Sequence, residues 1–594
     1  METFIHYAKR VLGTIGLSVL LAAVGGGCAP SSNPAPTATE PPTITLETPI
    51  DVKLWLTTAD QSRLLAPQPD LSFGRGAASG TAIYVNENHR YQTMDGFGAA
   101  MTDSSAWLIY TQLSEKQRSG LMTALFSRSD GIGIGVLRLP MGASDFVVGD
   151  HYSYDDMPPG QADPQLAHFS IEHDKAYIIP ALKEALRINP DLKIIASPWS
   201  PPGWMKDSDS LLDGTLQKQY YGAFANYFVK FIQAYQAERI PIYAVTLQNE
   251  PHYEPHFYPG MRLEPADEAE VVKNYLGPAF STSGIHTKIL VWDHNWDEWE
   301  YPVEVLNDPQ AKQYIAGSAF HCYAGSVLSQ GLVHDAYPDR DIFFTECSSG
   351  VVSYTFSGGL KRDMQDLIMG AVRNWAKTVI KWNLALDTSY GPHMGGCGNC
   401  MGTVTIDPKL ESGYVPNAEF YSLGHAGKFV LPGAYRIAST TFPYGSPETV
   451  AFMNPDGSKV FIAYNPGTAD QPIAVVWGDR SFAYTLPGES IATFVWKGTQ
   501  RNSLPPTPPE YPSARLFAGK VVVQWDFSPQ ADTYAVKRAD QAGGSYTVVA
   551  TGIGIPEYFD TNIETGKTYY YVVRAFNEFG ESKDSVEAAT TQTE

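Results

Sequence analysis

The alternation of strand-like and helix-like runs between residues 94 and 385 is the feature that most constrains the fold. Short apolar runs rich in β-branched residues are separated by longer stretches in which apolar residues recur every three or four positions. This alternation favours a parallel (β/α)8 barrel. The predicted barrel strands are 94–98, 135–141, 193–197, 242–247, 288–293, 318–323, 341–345 and 379–385.

One predicted helix precedes the fourth of these strands. Its apolar positions lie three and four residues apart, so they share one face of a helix that we expect to pack on the outside of the barrel. They are Tyr221, Phe224, Phe228, Phe231 and Tyr235.

Short strands flank the barrel on both sides. Residues 52–56 and 82–85 precede it, and a closely spaced series with a hairpin signal at Asp456-Gly457 follows it. That series is 449–453, 459–464, 474–477, 482–485 and 491–496. We therefore predict a side β-sandwich formed by residues 51–90 and 426–498, with the barrel occupying 91–425.

A proline-rich stretch at 499–512 predicts a linker to a further domain. Residues 513–594 resemble a fibronectin type III module, since Trp525 occurs early, a tyrosine-rich strand occurs late and can supply a tyrosine corner, and a turn closes at Gly580. This resemblance implies an immunoglobulin-like all-β fold that acts as a spacer or docking module.

The amino terminus has the pattern of an export signal. Lys9 and Arg10 precede an apolar, glycine-rich run that is too short for a membrane span, and Cys28 follows it. Residues 1–28 resemble a bacterial lipoprotein signal, although Gly25 stands where such signals carry leucine, so lipidation of Cys28 and simple secretion are both open. The Pro/Thr-rich residues 29–50 predict an extended tether. We expect the protein to be extracellular or attached to the cell envelope.

The charge balance excludes one class of partner. The chain has a formal net charge of −21 and no basic run. Because phosphate contacts require clustered Lys and Arg, nucleic acid is not an expected ligand.

Two glutamates are placed at the ends of predicted strands. Glu250 follows the fourth strand and Glu346 follows the seventh, so both lie at the carboxyl end of the barrel, where active sites of this fold are found. A carboxylate pair is what glycosidic bond cleavage requires. Either glutamate could instead be a solvated loop acid. That alternative is weak for Glu250, because the amide of Asn249 beside it can bond a sugar 2-hydroxyl.

Several motifs extend this interpretation into a family resemblance. Residues 55–496 resemble glycoside hydrolase family 30, the retaining enzymes that include glucosylceramidase and endo-β-1,6-glucanase. The tripeptide NEP alone is shared by several barrel glycosidase families, whereas the full set is specific. The motifs are DGFGAAMTD, LRLPMGASDF, SPWSPPGWMK, LQNEP, AFHCY, FFTECSSG and KWNLALD.

The resemblance assigns roles to individual residues. It implies that Glu250 is the acid/base and Glu346 the nucleophile. Arg138 could hold Glu346 ionised, or it could be a purely structural ion-pair residue. His321 is expected to support the catalytic residues from behind.

The resemblance also implies a set of residues around the nonreducing-end glucosyl unit. Carboxylates, amides and indoles suit this role because they bond hydroxyls or stack on sugar rings. The two tryptophans could instead plug the core, and the tyrosine could orient Glu346 without contacting sugar. The set is Asp103, Trp199, Asn249, Tyr323 and Trp382.

The cysteines allow two interpretations. Cys322, Cys347, Cys397 and Cys400 could form a four-cysteine zinc site. The resembled family uses no metal, so we expect no metal or other cofactor, and in an exported protein a Cys397–Cys400 disulfide is favoured. Such a disulfide would pin the glycine-rich loop around His393, which follows the eighth strand and borders the leaving-group side.

The sequence thus predicts an exported retaining β-glycosidase that acts on a β-linked glucan or glucoside. Related barrels with β-xylosidase, β-fucosidase or xylanase activity are alternatives within the same reaction class. A noncatalytic carbohydrate-binding or adhesion protein is the alternative from another class, and the presence of both glutamates and Asn249 argues against it.

Overall fold

The computed structural model describes residues 49–350, 355–442, 447–564 and 566–592. The predicted signal at 1–28 and the predicted tether up to residue 48 lie outside the described residues. Among the described helices, none has the length and hydropathy of a membrane-spanning segment.

Eight parallel strands of the described chain close a barrel: strands that are neighbours in sequence pair, and the eighth strand pairs with the first to complete the ring. The predicted fold class is confirmed. The fourth strand is shorter than predicted, and the eighth begins and ends earlier. The strands are Gly96–Ala100, Val136–Pro140, Lys193–Ser197, Ala244–Thr246, Lys288–Asn295, Ile315–His321, Asp341–Glu346 and Ala376–Lys381.

Helices surround this barrel. The predicted aromatic face of Tyr221–Ala237 is confirmed, because all five of its aromatic residues are at most 1% exposed. The α-helices are Asp103–Trp107, Glu115–Phe126, Ile178–Ile188, Tyr221–Ala237, Pro265–Val271, Gly277–Thr282, Glu300–Leu306, Pro309–Lys312, Ser329–Ala336, Phe356–Arg362 and Ala418–Gly427. The π-helical segments are Leu108–Gln112, Val272–Leu276 and Asp363–Ala371.

The two flanks of the barrel form a second β-structure. Its strands hydrogen-bond in a closed order to which the amino-terminal flank contributes three strands and the carboxyl-terminal flank contributes the rest. Ala66–Arg75 and Tyr435–Ser439 were not predicted. The strands are Ile50–Thr58, Ala66–Arg75, Thr81–Thr93, Tyr435–Ser439, Glu448–Met453, Lys459–Asn465, Gln471–Trp477, Arg480–Leu486 and Ser490–Trp496.

The carboxyl-terminal module has the strand order expected for its fibronectin type III resemblance. Trp525 is buried against Tyr534, with ring centroids 5.2 Å apart. Tyr569 forms the tyrosine corner, because its hydroxyl accepts a hydrogen bond from the backbone N–H of Glu564 at 2.9 Å. The strands are Glu510–Phe517, Lys520–Asp526, Thr533–Ala539, Thr547–Ile553, Glu557–Asp560, Tyr570–Asn577, Gly580–Glu581 and Ala588–Gln592.

This module is docked on the rest of the protein by buried polar contacts. His334, on a barrel helix, lies 3.2 Å from a carboxylate oxygen of Glu557. On the side β-structure, His89 Nε2 and Asn86 Nδ2 both donate to the carbonyl oxygen of Ala531, at 2.8 and 2.7 Å. The proline-rich linker therefore does not leave the module free.

Candidate active site

A cavity of about 490 Å³ opens at the carboxyl ends of the barrel strands. Six of the nine residues predicted for the site line it: Trp199, Asn249, Glu250, Tyr323, Glu346 and Trp382. Its other lining residues are Asp145, Tyr253, Phe257, Tyr258, His294, Asn295, Ser348, Gly396, Cys397 and Cys400.

The turn after the fourth strand presents Glu250 to this cavity. The backbone N–H of Asn249 donates to Pro198 O at 2.8 Å, and that of Glu250 donates to Asp293 O at 3.1 Å. Glu250 has a φ of 49°, a conformation that non-glycine residues rarely adopt. The turn is thus held between the third and fifth strands in a strained conformation that aims the carboxylate inward.

Asp293 is the buried centre of the site, and the sequence analysis missed it. Its side chain is fully buried, and the charge of Arg138 together with hydrogen bonds from His321 and Thr345 holds its pKa well below the usual range although burial alone would raise it. Its carboxylate joins five other barrel strands. The donors are Arg138, Ser197, Thr246, His321 and Thr345.

Arg138 connects Asp293 to Glu346 and Asn249. Its guanidinium is fully buried and donates to Glu346 Oε2. Its other terminal nitrogen donates to Asn249 Oδ1 at 2.7 Å and Asp293 Oδ2 at 2.7 Å. Arg138 is therefore a buried ion-pair residue that contacts both Asp293 and Glu346.

Both carboxylate oxygens of Glu346 accept hydrogen bonds. Arg138 donates to one, and the hydroxyl of Tyr323 donates to the other at 2.7 Å. Tyr323 therefore orients Glu346 and also lines the cavity. A disulfide between Cys322 and Cys347 joins the residues next to them in sequence, which ties together the ends of the sixth and seventh strands.

Glu250 is paired with two histidines. His321 Nδ1 lies 3.1 Å and His294 Nε2 3.8 Å from Glu250 Oε1. Burial alone would raise the pKa of Glu250, but the hydrogen bond with His321 and nearby positive charge lower it overall. One oxygen of Glu250 lies within 4.8 Å of one oxygen of Glu346.

The surroundings of His321 favour the ring form that carries protons on both nitrogens. Burial lowers its pKa, but the charge of Glu346 and the hydrogen bonds to Asp293 and Glu250 outweigh burial and raise the pKa to about 9. Because Nε2 faces Asp293 at 3.0 Å, the exchangeable proton lies on the Nδ1 side, toward Glu250.

The two predicted tryptophans form one wall. Trp199 and Trp382 stack with ring centroids 5.0 Å apart and an angle of 23° between the rings, and Arg138 lies 4.7 Å above the Trp199 ring. Both rings line the cavity, and each is also 3% exposed and packed in a buried apolar cluster. Asn249 completes this side. Since its Oδ1 is bound by Arg138, its NH2 group is the part that can donate to a ligand.

Asp103 differs from its prediction, because it does not line the cavity. Its oxygens accept hydrogen bonds from the Val148 backbone, from His173 Nε2 at 2.8 Å and from the Tyr177 hydroxyl at 2.8 Å. The physical reason is that Asp103 opens the helix Asp103–Trp107 and faces the connection that follows the second strand.

Asp145, on that same connection, is the aspartate that lines the cavity. Burial, together with the negative charges of Glu346 and Glu250, raises its pKa well above the usual range. This shift favours the neutral carboxyl form, which can donate a hydrogen bond to a sugar oxygen. The motif LRLPMGASDF contained this residue, and its position in that motif is the signal that could have identified it.

The predicted Cys397–Cys400 disulfide is present. It lies at the end of residues 391–400, which we call the cysteine loop. This loop packs on Asp145, since Met394 N donates to Asp145 O at 2.8 Å. It also meets residues 251–263, which we call the Pro251 loop, because a side-chain carbon on Gly395 would lie 2.4 Å from Phe257 O. Both loops therefore form one rim of the cavity.

Comparison with known proteins agrees with this geometry. The family profile described as "Glycosyl hydrolase family 30 TIM-barrel domain" matches residues 94–430. The profile "Glycosyl hydrolase family 30 beta sandwich domain" matches residues 433–494. The chain belongs to glycoside hydrolase family 30.

Curated relatives within family 30 include two kinds of hydrolase. The chain is 35% identical over 430 residues to endo-1,6-beta-D-glucanase neg1 of Aspergillus fumigatus, a match that covers 68% of this chain and 85% of that protein. It is 31% identical over 449 residues to the lysosomal acid glucosylceramidase of Mus musculus, covering 70% and 84% respectively.

A solved family 30 structure is also similar. The endo-beta1,6-glucanase BT3312 superimposes with a TM-score of 0.71 at 36% sequence identity, covering 76% of this chain and all of that one. The chain is therefore a retaining glycoside hydrolase that acts on β-glucosyl linkages, and its substrate is a glucan or glucoside.

Proposed function

We propose that this enzyme is an exported endo-β-1,6-glucanase in which Glu346 is the nucleophile and Glu250 the acid/base. The observation that carries the proposal is the carboxylate pair at the base of the cavity, whose oxygens approach within 4.8 Å. A retaining pair stands about 5–5.5 Å apart, whereas an inverting pair needs about 6.5–9.5 Å to admit a water. The short separation supports attack by an enzyme carboxylate.

In the first step, Glu346 attacks the anomeric carbon and the bond to the leaving oxygen breaks. Arg138 and Tyr323 fix both oxygens of Glu346 by hydrogen bonds, which orients the carboxylate for attack. Glu250 gives a proton to the leaving oxygen, and a glycosyl ester of Glu346 remains.

His321 couples the proton to the attack. The negative charge of Glu346 is the largest contribution that raises the pKa of His321. When Glu346 becomes an ester, this charge disappears and the pKa of His321 falls. The proton shared by His321 and Glu250 is then released most easily as the leaving oxygen needs it.

In the second step, Glu250 takes a proton from water, and the water oxygen bonds to the anomeric carbon. The ester bond breaks and Glu346 regains its charge, which restores the proton affinity of His321. Two inversions give net retention. Asn249 donates to the sugar 2-hydroxyl, Asp145 donates to another sugar oxygen, and the Trp199–Trp382 wall packs against the ring.

The choice of a β-1,6-glucan is supported by similarity and by the rim of the cavity. Identity to proteins named endo-1,6-β-glucanase reaches 35% and 36%, against 31% for the mouse glucosylceramidase. Tyr253 and Phe257 on the Pro251 loop are 48% and 74% exposed beside the cavity, so they offer ring faces to further sugar units.

Export is supported by both disulfides, Cys322–Cys347 and Cys397–Cys400, since disulfides persist in oxidising compartments. The predicted signal and Cys28 lie outside the described residues, and a lipid tether through Cys28 is part of the proposal.

A substrate panel tests the activity. The purified enzyme is incubated with linear β-1,6-glucan, gentiobiose, glucosylceramide and an aryl β-glucoside, and Glu346→Gln serves as the inactive control. We expect the highest kcat/KM on the glucan, with early products of mixed length. Preferred cleavage of glucosylceramide would replace the proposal with a glucosylceramidase, and release of glucose alone would contradict endo action.

A further inference from the structure

The long connection between the second barrel strand and the helix Ile178–Ile188 holds a side-chain cluster that glycoside hydrolysis does not use. One carboxylate oxygen each of Asp155 and Asp163 and one ring nitrogen of His168 lie within 4.8 Å of one another. Asp155 is 1% and Asp163 8% exposed, whereas the His168 side chain is 67% exposed. The cluster therefore has two buried carboxylates and opens to solvent at the imidazole.

One carboxylate oxygen of this cluster accepts no hydrogen bond within the part of the chain that the structure describes. Asp155 Oδ1 is buried and accepts no hydrogen bond from any described residue. The other oxygen, Oδ2, accepts a hydrogen bond from Trp204 Nε1 at 3.2 Å. Leaving a buried carboxylate oxygen without a donor is costly, so its presence points to a ligand.

No lysine or arginine of the described chain forms an ion pair with either carboxylate. The described ion pair of Asp163 is with His168, whose Nδ1 lies 2.9 Å from Oδ2. The charge of Lys230 acts on Asp155, but Lys230 Nζ donates to the carbonyl oxygen of Leu166 at 2.7 Å. The cluster therefore concentrates negative charge around a donor-free oxygen.

We propose that Asp155, Asp163 and His168 bind a divalent transition-metal cation of the Zn²⁺ type, with water completing its coordination. Two carboxylates and an imidazole match the ligand preference of Zn²⁺, whereas Ca²⁺ and Mg²⁺ favour oxygen ligands alone. Bonds of about 2.1 Å place tetrahedral ligand atoms about 3.4 Å apart. The ligand atoms lie up to 4.8 Å apart, so the longest separation must shorten by roughly 1 Å. The exposed His168 ring must also exchange its contact with Asp163 for the cation.

The cation would act on structure and not on the reacting bond. None of its three ligands lines the cavity. The connection that carries them also carries Asp145 to the cavity and brings His173 and Tyr177 against Asp103. A cation that joins Asp155, Asp163 and His168 would fix this connection and thereby the position of Asp145.

Titration of the EDTA-treated full-length protein with Zn²⁺ tests the proposal. Calorimetry should show one Zn²⁺ per chain, and the thermal midpoint should rise by several degrees. Because His168 is exposed, His168→Ala should fold normally while binding at least tenfold more weakly, and Asp163→Asn should do the same. His286→Ala, another exposed histidine that lies before the fifth barrel strand, should bind like the wild type.

Two results would overturn the proposal. One is the absence of stoichiometric Zn²⁺ binding by the wild type at neutral pH. The other is equally tight binding by His168→Ala and Asp163→Asn, which would place the ion elsewhere. X-ray absorption on the Zn²⁺-loaded wild type should detect an imidazole ligand, and a spectrum with oxygen ligands alone would likewise contradict the assignment.

Discussion

The different tasks proposed for Glu346 and Glu250 follow from their hydrogen-bond partners. Glu346 faces groups that only donate to it in this site, the Arg138 guanidinium and the Tyr323 hydroxyl. Glu250 faces His321, which can hold or return a proton through Nδ1. Burial raises the pKa of Glu346 despite the opposing charges of His321 and Arg138, so the two donors serve to orient this carboxylate for attack. A carboxylate that shares a proton with an imidazole is suited to acid and base steps.

Replacing Glu250 should depend on the leaving group. With Glu250→Gln we expect kcat/KM on β-1,6-glucan to fall by about 10²–10⁴, because the leaving oxygen loses its proton donor. Formation of the glycosyl ester from an activated aryl glucoside should be largely spared. Steady-state and burst kinetics on both substrates measure this, and Glu254→Gln on the Pro251 loop is the control. Equal losses on both substrates would count against the acid role.

The decrease in kcat/KM at high pH should follow the loss of a proton from His321. Because the pKa of His321 is about 9, the proton is present below that pH and is lost as pH rises through it. We expect kcat/KM on the glucan to fall above about pH 9, and His321→Gln to move that fall to lower pH. An activated aryl glucoside controls for folding of the variant. An unchanged alkaline limb in His321→Gln would rule out the shared proton.

At the level of elements, the sequence predicted the barrel strands because their apolar runs and spacing follow the period of a β/α repeat. It placed Glu250 and Glu346 because each ends such a run. Asp293 was missed, since an aspartate late in the fifth strand has no local signal and gains its role only from five neighbouring strands. The Cys322–Cys347 bond was also missed, although both cysteines follow strands that are adjacent in any barrel of this kind.

The cysteine loop offers a test at this scale. Gly396 has a φ of 61°, and a side-chain carbon there would lie 2.4 Å from Asp145 Oδ2. Gly396→Ala should therefore displace the cysteine loop or Asp145. If Asp145 positions the sugar through one neutral hydrogen bond, we expect KM to rise and kcat/KM to fall by about tenfold or more.

Gly457→Ala is the matched control, because Gly457 also has a positive φ of 78° but its added carbon would meet nothing within 4 Å. It should carry the same conformational strain, about 1 kcal/mol, without the clash. Similar KM values for the two variants would show that contact with Asp145 does not matter for binding.

At the scale of the whole molecule, buried neutral histidines join the barrel, the side β-structure and the carboxyl-terminal module. His425, on a helix against the barrel, lies 2.8 Å from Thr57 Oγ1 and 2.8 Å from Thr493 Oγ1 of the side β-structure. His89 joins that structure to the carboxyl-terminal module. Burial lowers the pKa of each histidine to about 3.

These histidines make stability sensitive to acid. Each has an unfolded pKa of about 6.5, so the unfolded state binds a proton first as pH falls, and stability is lost between about pH 6.5 and pH 3. From pH 7 to pH 5 we expect a loss of about 2 kcal/mol per histidine. Urea unfolding at both pH values measures it. His425→Gln should remove about 2 kcal/mol of that pH dependence, and an unchanged dependence would contradict the account.

The covalent step on Glu346 is the central claim, and trapping the intermediate tests it most directly. An activated 2-fluoro-β-glucoside should inactivate the full-length enzyme with a mass increase of one fluoroglucosyl unit per chain. Peptide mass spectrometry should place that unit on Glu346, and Glu346→Gln should not be labelled. Label on any other residue, or turnover without a covalent adduct, would contradict the account.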